Sequence, residues 1–312
     1  MRHIFKLTAV ALALALTPLC ARPQESSTPA AAGYRIYDAT GKPATLGQVL
    51  DAALANEVVF VGEIHNDAGA HQIELQLLQG AYTRLAPRTN TADARHLVLS
   101  LEMFERDVQT VLDEYLAGLI QERQFLAASR PWNNYETDYR PLVEFASAHQ
   151  LPVVAANAPE RYVSRVGRLG RDSLRALSPA ALGWLAPLPY GAPSPAYAAK
   201  FNEAMSAGGQ GRGPHANPFL LDAQALRDAT MAHAIAEQLQ RDKRELVVQV
   251  NGSFHSEGRL GTPEQLRAYR PQARMLVVSI VPAQAGSVPD AKEFVGLGDF
   301  VFVTEAAAPG PF

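Results

Sequence analysis

Residues 57–67 read Glu-Val-Val-Phe-Val-Gly-Glu-Ile-His-Asn-Asp, and residues 245–255 read Glu-Leu-Val-Val-Gln-Val-Asn-Gly-Ser-Phe-His. Each is a nearly continuous apolar, β-branched run that leads into a Gly-x-x-His segment, Gly62–His65 or Gly252–His255. Continuous rather than alternating hydrophobicity suits a strand covered on both faces, as in a largely parallel sheet. His96–Leu101, Leu151–Ala155, Met275–Ile280 and Phe300–Val303 read the same way, and Tyr34–Tyr37 reads as a short edge strand. Between these runs the apolar period lengthens to that of a helix at Ala68–Leu85, Asp107–Ala128, Arg140–His149 and Ala223–Arg241. The alternation predicts a three-layer α/β/α sandwich around a mostly parallel central sheet.

The chain's 312 residues, 47% hydrophobic and 19% charged, are ample for a large core and exclude extended disorder. A net charge of −3 argues against electrostatic capture of nucleic acid. The start is different: Met1–Lys6 is basic, Leu7–Leu16 is apolar and Thr17-Pro18 ends the run. That is the grammar of a secretory signal peptide over residues 1–21, too short for the ~20 apolar residues of a membrane span. Cleavage after Ala21 gives a free periplasmic or secreted form, whereas lipidation of Cys20 gives an outer-membrane-associated lipoprotein. Bulky Leu19 favours the first. Cys20 is the chain's one cysteine, which excludes an intrachain disulfide and a multi-thiolate metal site. Residues 22–33 lack large apolar side chains and read as a disordered tether. Residues 34–312 read as a single α/β domain. Within it, Tyr162–Leu177 reads as a helix that opens an insertion of about 162–213, rich in Pro, Gly and Ala and suited to a lid or partner surface.

In a parallel open sheet, ligands bind outside the carboxyl ends of the strands. Four strand ends deliver polar groups there: Glu63 and His65, Glu102, Asn157, and His255. Two carboxylates and two imidazoles suit a divalent metal or acid–base chemistry. Gly62 and Gly252 are expected to let the chain turn sharply off its strand and to let backbone N–H groups approach a ligand. Taken singly, each residue also has an ordinary explanation as a helix cap or a hydrogen-bonding core residue.

Gly62–Asp67, Leu101–Gln109, Tyr139–Leu142, Ala156–Pro159 and Arg227–Ala232, five ordered motifs, resemble the ChaN-like family of haem-binding proteins, with likeness from about Val58 to Ile280. The family is similar in fold to the erythromycin-esterase-like and TraB/Tiki-like proteins. The resemblance implies an exported or outer-membrane-associated protein of bacterial haem and iron acquisition, with haem as cofactor, a homodimer around it and an outer-membrane haem receptor as partner. The likeness to the wider superfamily implies an alternative, a metal-dependent hydrolase that uses Glu63, His65, Glu102 and His255 with a divalent ion. Haem needs an axial ligand, and with Cys20 in the signal peptide the ligand is expected to be Tyr135, Tyr139 or His255. Trp132–Tyr139 supplies flat rings and phenols for such a site. Glu63, His65, Glu102 and Asn157 are expected to complete it. Arg161 and Arg165 suit haem propionates or a solvated face. Arg227-Asp228 suits the crevice or a surface pair, and Met231 the core.

Overall fold

Seven strands lie in one sheet in the order β1-β7-β6-β2-β5-β3-β4, in a computed structural model that describes residues 33–85, 95–207, 218–242, 244–283 and 290–304. The strands are β1 (Tyr34–Asp38), β2 (Val58–Glu63), β3 (His96–Glu105), β4 (Val153–Asn157), β5 (Glu245–Gly252), β6 (Met275–Pro282) and β7 (Phe300–Thr304). All neighbours are parallel except β1 and β7. The expected signal peptide, nearly all of the expected tether and residues 208–213 of the expected insertion lie outside the described residues. From Gly33 onward the contacts group into a single unit.

The helices are α1 (Leu46–Leu54), α2 (Ala68–Leu85), α3 (Gln109–Leu116), α4 (Glu122–Ser129), α5 (Arg140–Ala148), α6 (Glu160–Leu169), α7 (Pro179–Leu182), α8 (Pro195–Ala207), α9 (Leu220–Arg241) and α10 (Thr262–Tyr269). Successive strand residues point to opposite faces, and both faces are apolar. Val59, Val61, Leu99, Leu101 and Val248 pack with α1 to α5 in one core; Val58, Phe60, Val98 and Val247 pack with α9 and α10 in another. Continuous hydrophobicity therefore did mean burial on both sides, and the sandwich has the three expected layers. Among the described residues no helix is long and apolar enough to cross a membrane.

The connections explain where a ligand crevice can form. From β2 the chain crosses one face through α2 to β3 and, through α3 to α5, to β4. It then reverses and returns across the other face through α6 to α9 to β5, and through α10 to β6. Crossovers of one hand that travel in opposite directions must lie on opposite faces. Adjacent β2 and β5 thus send their chains apart, and the carboxyl edge between them is the topological switch point.

Two helix expectations need correction. Asp107–Ala128 is not one helix: a 3₁₀ turn at Arg106–Val108 leads into α3, which stops at Ala117, and α4 follows separately. Gly118, at φ +70°, donates its N–H to the Tyr115 carbonyl while Leu119 N–H bonds the Glu114 carbonyl, the paired closure of a Schellman motif. Tyr162–Leu177 likewise breaks at Gly170 into α6 and a 3₁₀ segment, Arg171–Ala176. The described part of the insertion is packed rather than loose: Leu174, Leu185, Ala186 and Tyr190 sit against Ala223, Leu226 and Ala229 of α9.

At Gly118 an added Cβ meets no atom within 4 Å. The cost of a side chain there is that of its left-handed backbone alone, so Gly118→Ala is expected to lower unfolding free energy by about 1 kcal/mol in urea denaturation.

Candidate functional site

Glu63, the last residue of β2, pairs in register with Gly252, the last residue of β5. Both glycines of the Gly-x-x-His segments lie within their strands, and the backbone at Gly252 is extended, at φ −55° and ψ 137°. Their role is close approach rather than the expected sharp turn. A Cβ on Gly252 would lie 2.8 Å from His65 Cε1, and one on Gly62 would lie 2.8 Å from Ser256 Oγ and 3.0 Å from Ser253 Cα. Each glycine is the seat for the other segment.

The β3–β5 ladder ends at Leu101 and Val250, and β3 slips against β4 between Leu101 and Glu105. Just there Glu102 Oε2 accepts the Gly252 N–H at 2.7 Å, so a side chain takes over where backbone pairing stops. The N–H expected to face a ligand is spent on this carboxylate. Glu102 Oε1 lies 3.3 Å from His255 Nε2, and Asp228 Oδ1 lies 2.7 Å from Nδ1. Asp228 also accepts from Tyr197 and from Thr262 Oγ1 (2.9 Å), and the Gln224 amide lies 3.0 Å from Nε2. Burial opposes charge on both members of the central pair, but their mutual attraction wins: Glu102 falls to about 2, and Glu102 with Asp228 raises His255 to about 10.

The other half of the site surrounds Glu63. Its Oε1 accepts from Tyr139 Oη (2.5 Å) and from His65 Nδ1 (2.8 Å). Because a carboxylate only accepts, Nδ1 carries the hydrogen and the lone pair of a neutral His65 falls on Nε2. The His65 ring meets Trp132 edge-on at 4.5 Å, and its side chain is 42% exposed whereas that of Glu63 is 1% exposed. Burial lowers the His65 pKa, but Glu63 and Glu102 outweigh it and raise the value overall. Behind Glu63, His71 Nδ1 faces Glu74 Oε2 at 3.0 Å and Nε2 faces the His65 carbonyl at 3.1 Å. Both partners are acceptors, so both nitrogens carry hydrogen; against the effect of burial, Glu74 and Glu63 raise the His71 pKa to about 9.

An open depression of about 350 Å³, lined by His65, Asn66, Trp132, Asn133 and Asn134, adjoins this half. Of the expected iron ligands, His255 is buried with both ring nitrogens in contact, and Tyr139 is buried on Glu63. Tyr135 is buried among Phe104 and Phe125, and its hydroxyl has no hydrogen-bond partner. Asn157 lies further off, where its Oδ1 meets Arg227 at 3.4 Å while Arg227 pairs with Glu160. Arg161 pairs with Asp107 at 2.6 Å and stacks over Tyr162, and Arg165 Nε bonds the Ser173 carbonyl. Met231 is in the core.

Sequence reasoning missed His71, Glu74 and Tyr197 and left Asp228 undecided. His71 and Glu74 carry a signal: they stand among Ala70, Ile73, Leu77 and Leu78 on the buried stripe of α2. Asp228 carries the same one among Ala225, Leu226, Ala229 and Ala232 of α9.

The Glu102–His255 pair gives stability a defined pH window. Glu102 contributes fully above its ordinary 4.5 and loses its contribution as pH falls toward about 2; His255 contributes fully below 6.5 and loses its contribution as pH rises toward about 10. The stability difference between wild type and His255→Gln is therefore expected to be greatest at about pH 5–6.5 and to shrink toward pH 10. Thermal melts across that range check it; a difference that grows with pH would contradict the pairing.

The sequence profile of the family described as haem-binding uptake, Tiki superfamily, ChaN matches residues 49–266. A solved structure described as cofacial haem binding to ChaN of Campylobacter jejuni is similar, with TM-score 0.64 and 15% identity over 88% of this chain and 97% of that one. The type III effector HopBA1 (TM-score 0.44, 11% identity, 82% of this chain and 91% of that one) is more distant. So is an erythromycin esterase mutant in its open conformation (TM-score 0.42, 11% identity, 87% and 83%). A search of curated proteins finds no match to the chain. With most of the domain under the family profile, and with the fold shared with the Campylobacter protein, the chain belongs to the ChaN family of the Tiki superfamily.

Proposed function

We propose that the protein binds haem at the depression beside His65, as an exported component of bacterial haem and iron acquisition. One observation carries the reading: His65 is the half-open imidazole of an otherwise buried cluster, set against Trp132 with its Nδ1 hydrogen held by Glu63. A carboxylate on the far nitrogen fixes the ring tautomer and strengthens the near nitrogen as a ligand. His65 would then hold the iron, Trp132 would help line the site, and bound haem would supply the redox-active iron. This displaces Tyr135, Tyr139 and His255, whose burial leaves them as support for the ligand rather than the ligand itself. The hydrolase alternative gains nothing comparable, since Glu102, Asp228 and His255 spend their groups on one another.

An open depression would leave part of a bound haem to a second copy of the chain, giving a homodimer around haem. Export rests on the basic start and apolar run of residues 1–16, with the periplasm or the outer membrane as destination and Cys20 as a lipidation point if Ala21 is not the cleavage product's border. An outer-membrane haem receptor fits as partner on the same reading.

Hemin titration of the mature chain is expected to give a saturable Soret shift at no more than one haem per chain. His65→Ala is expected to weaken binding at least ~10-fold, on the scale of a lost ligand or its supporting shell. Gly252→Ala, which drives a methyl into the His65 ring, should weaken it as well, while Tyr135→Phe leaves it intact. Haem addition is expected to shift the chain from monomer to dimer by light scattering. Absence of a saturable Soret shift overturns the reading, and retention of full affinity by His65→Ala overturns the ligand assignment.

A further inference from the structure

Glu63, His71 and Glu74 form a second constellation beneath the haem-site histidine. Each offers a ligand atom, these atoms lie within 4.8 Å of one another, and all three residues are buried. The group differs from the set expected from the strand ends: it shares Glu63 but draws its other members from α2, where positions three apart present both side chains to the same face.

The hydrogen bonding around this group is incomplete. Glu63 Oε1 is saturated by His65 and Tyr139, but Glu63 Oε2, 3.3 Å from His71 Nε2, has no hydrogen-bond donor because that N–H goes to the His65 carbonyl. Glu74 Oε2 meets His71, whereas Glu74 Oε1 is buried without a partner. Asp138 Oδ2 lies 3.6 Å from His71 Nε2 and takes the Asn134 amide at 2.8 Å. One imidazolium thus stands among three carboxylates, and two buried carboxylate oxygens lack a hydrogen-bond donor. Orphaned buried acceptors are costly, and a cation at this point would satisfy both.

We propose that Glu63, His71 and Glu74 bind a divalent cation of the borderline class. One imidazole nitrogen and two carboxylate oxygens are donors that zinc accepts, at about 2.0–2.2 Å. Ligands at that range stand about 3–4 Å apart on the ion, so small side-chain rotations close the observed spacing. Binding displaces a proton from His71, and water completes the coordination. The cation then fixes Glu63 from behind while its other oxygen holds His65, so the metal stiffens the haem site without facing it. The stiffening rests on the haem reading, whereas zinc binding at Glu63 and α2 is tested without haem.

The test uses the haem-free mature chain, stripped with chelator and titrated with Zn²⁺ by calorimetry and elemental analysis. One tight Zn²⁺ per chain is expected in wild type, with affinity at least ~10-fold lower in Glu74→Gln and His71→Asn, the scale of a lost ligand. Glu74→Gln should retain the hemin Soret titration, which separates this site from the haem reading. X-ray absorption of zinc-loaded wild type, which needs no variant to fold, should show one imidazole and otherwise oxygen. No tight zinc in wild type, undiminished affinity in Glu74→Gln, or two imidazoles on the ion would each overturn the proposal.

Discussion

The site depends on two glycines that seat each other's loops. The chain leaving β2 runs over the chain leaving β5 at a separation that leaves no room for a Cβ on either: Gly252 lies under the His65 ring, and Gly62 lies under Ser253 and Ser256. The repeated Gly-x-x-His is therefore a reciprocal contact, in which each glycine serves the opposite segment. Register follows from it, since Glu63 aligns with Gly252 only while the two strands stay adjacent to their last residue. Glu102 reinforces the arrangement from β3 by accepting the Gly252 N–H beyond the end of the ladder.

Bringing strand ends so close concentrates acidic groups in a buried place. Glu63, Glu74, Glu102 and Asp228 are all nearly excluded from solvent, and burial of an unpaired carboxylate is strongly unfavourable. The fold answers by interleaving imidazoles: His255 lies between Glu102 and Asp228, and His71 lies between Glu63 and Glu74. Such pairs return the desolvation cost only when the remaining lone pairs are also satisfied. The His255 group meets that condition better, with Tyr197, Thr262 and the Gly252 N–H as added donors. The His71 group leaves two carboxylate oxygens over, and the imbalance between the halves is a property of their donors rather than of their charge alone.

The sheet was legible because a parallel strand advertises burial on both faces through unbroken runs such as Val58–Val61 and Leu246–Val248. Ala68–Leu85 was legible to the residue because Ala70, Ile73, Leu77, Leu78, Ala81 and Leu85 keep helical spacing along it. The break at Gly118 was not: Val108, Val111, Leu112, Tyr115, Leu116 and Leu119 keep helical spacing across it, and a Schellman closure depends on backbone geometry that periodicity does not report. In the candidate site, the structure brings Glu63, His65, Glu102 and His255 together at the strand ends, where the carboxyl-edge rule points. The helix-borne members were harder, since His71, Glu74 and Asp228 reach the crevice from elements that pass over it. Tyr197 had no local signal at all; it meets Asp228 only because α8 folds back onto α9.

Identical motifs need not yield identical chemistry, and exposure separates the two histidines here. His255 is 5% exposed, and its ring contacts Asp228, Glu102 and Gln224. Bringing it to an external ligand would strand Glu102 and Asp228 in the interior, which is more costly than losing one hydrogen bond. His65 is hydrogen-bonded through Nδ1, its Cε1–Nε2 edge rests on Gly252, and the residue lines the open depression with Trp132. The difference arises one layer out, in what stands over each loop. Over the second segment lie α8, α9 and α10, which supply Tyr197, Asp228, Gln224 and Thr262; over the first lies the Trp132–Tyr139 segment, which covers Glu63 and leaves the imidazole partly exposed. The same Gly-x-x-His spacing thus becomes an internal clamp on one side of the switch point and a half-exposed imidazole on the other.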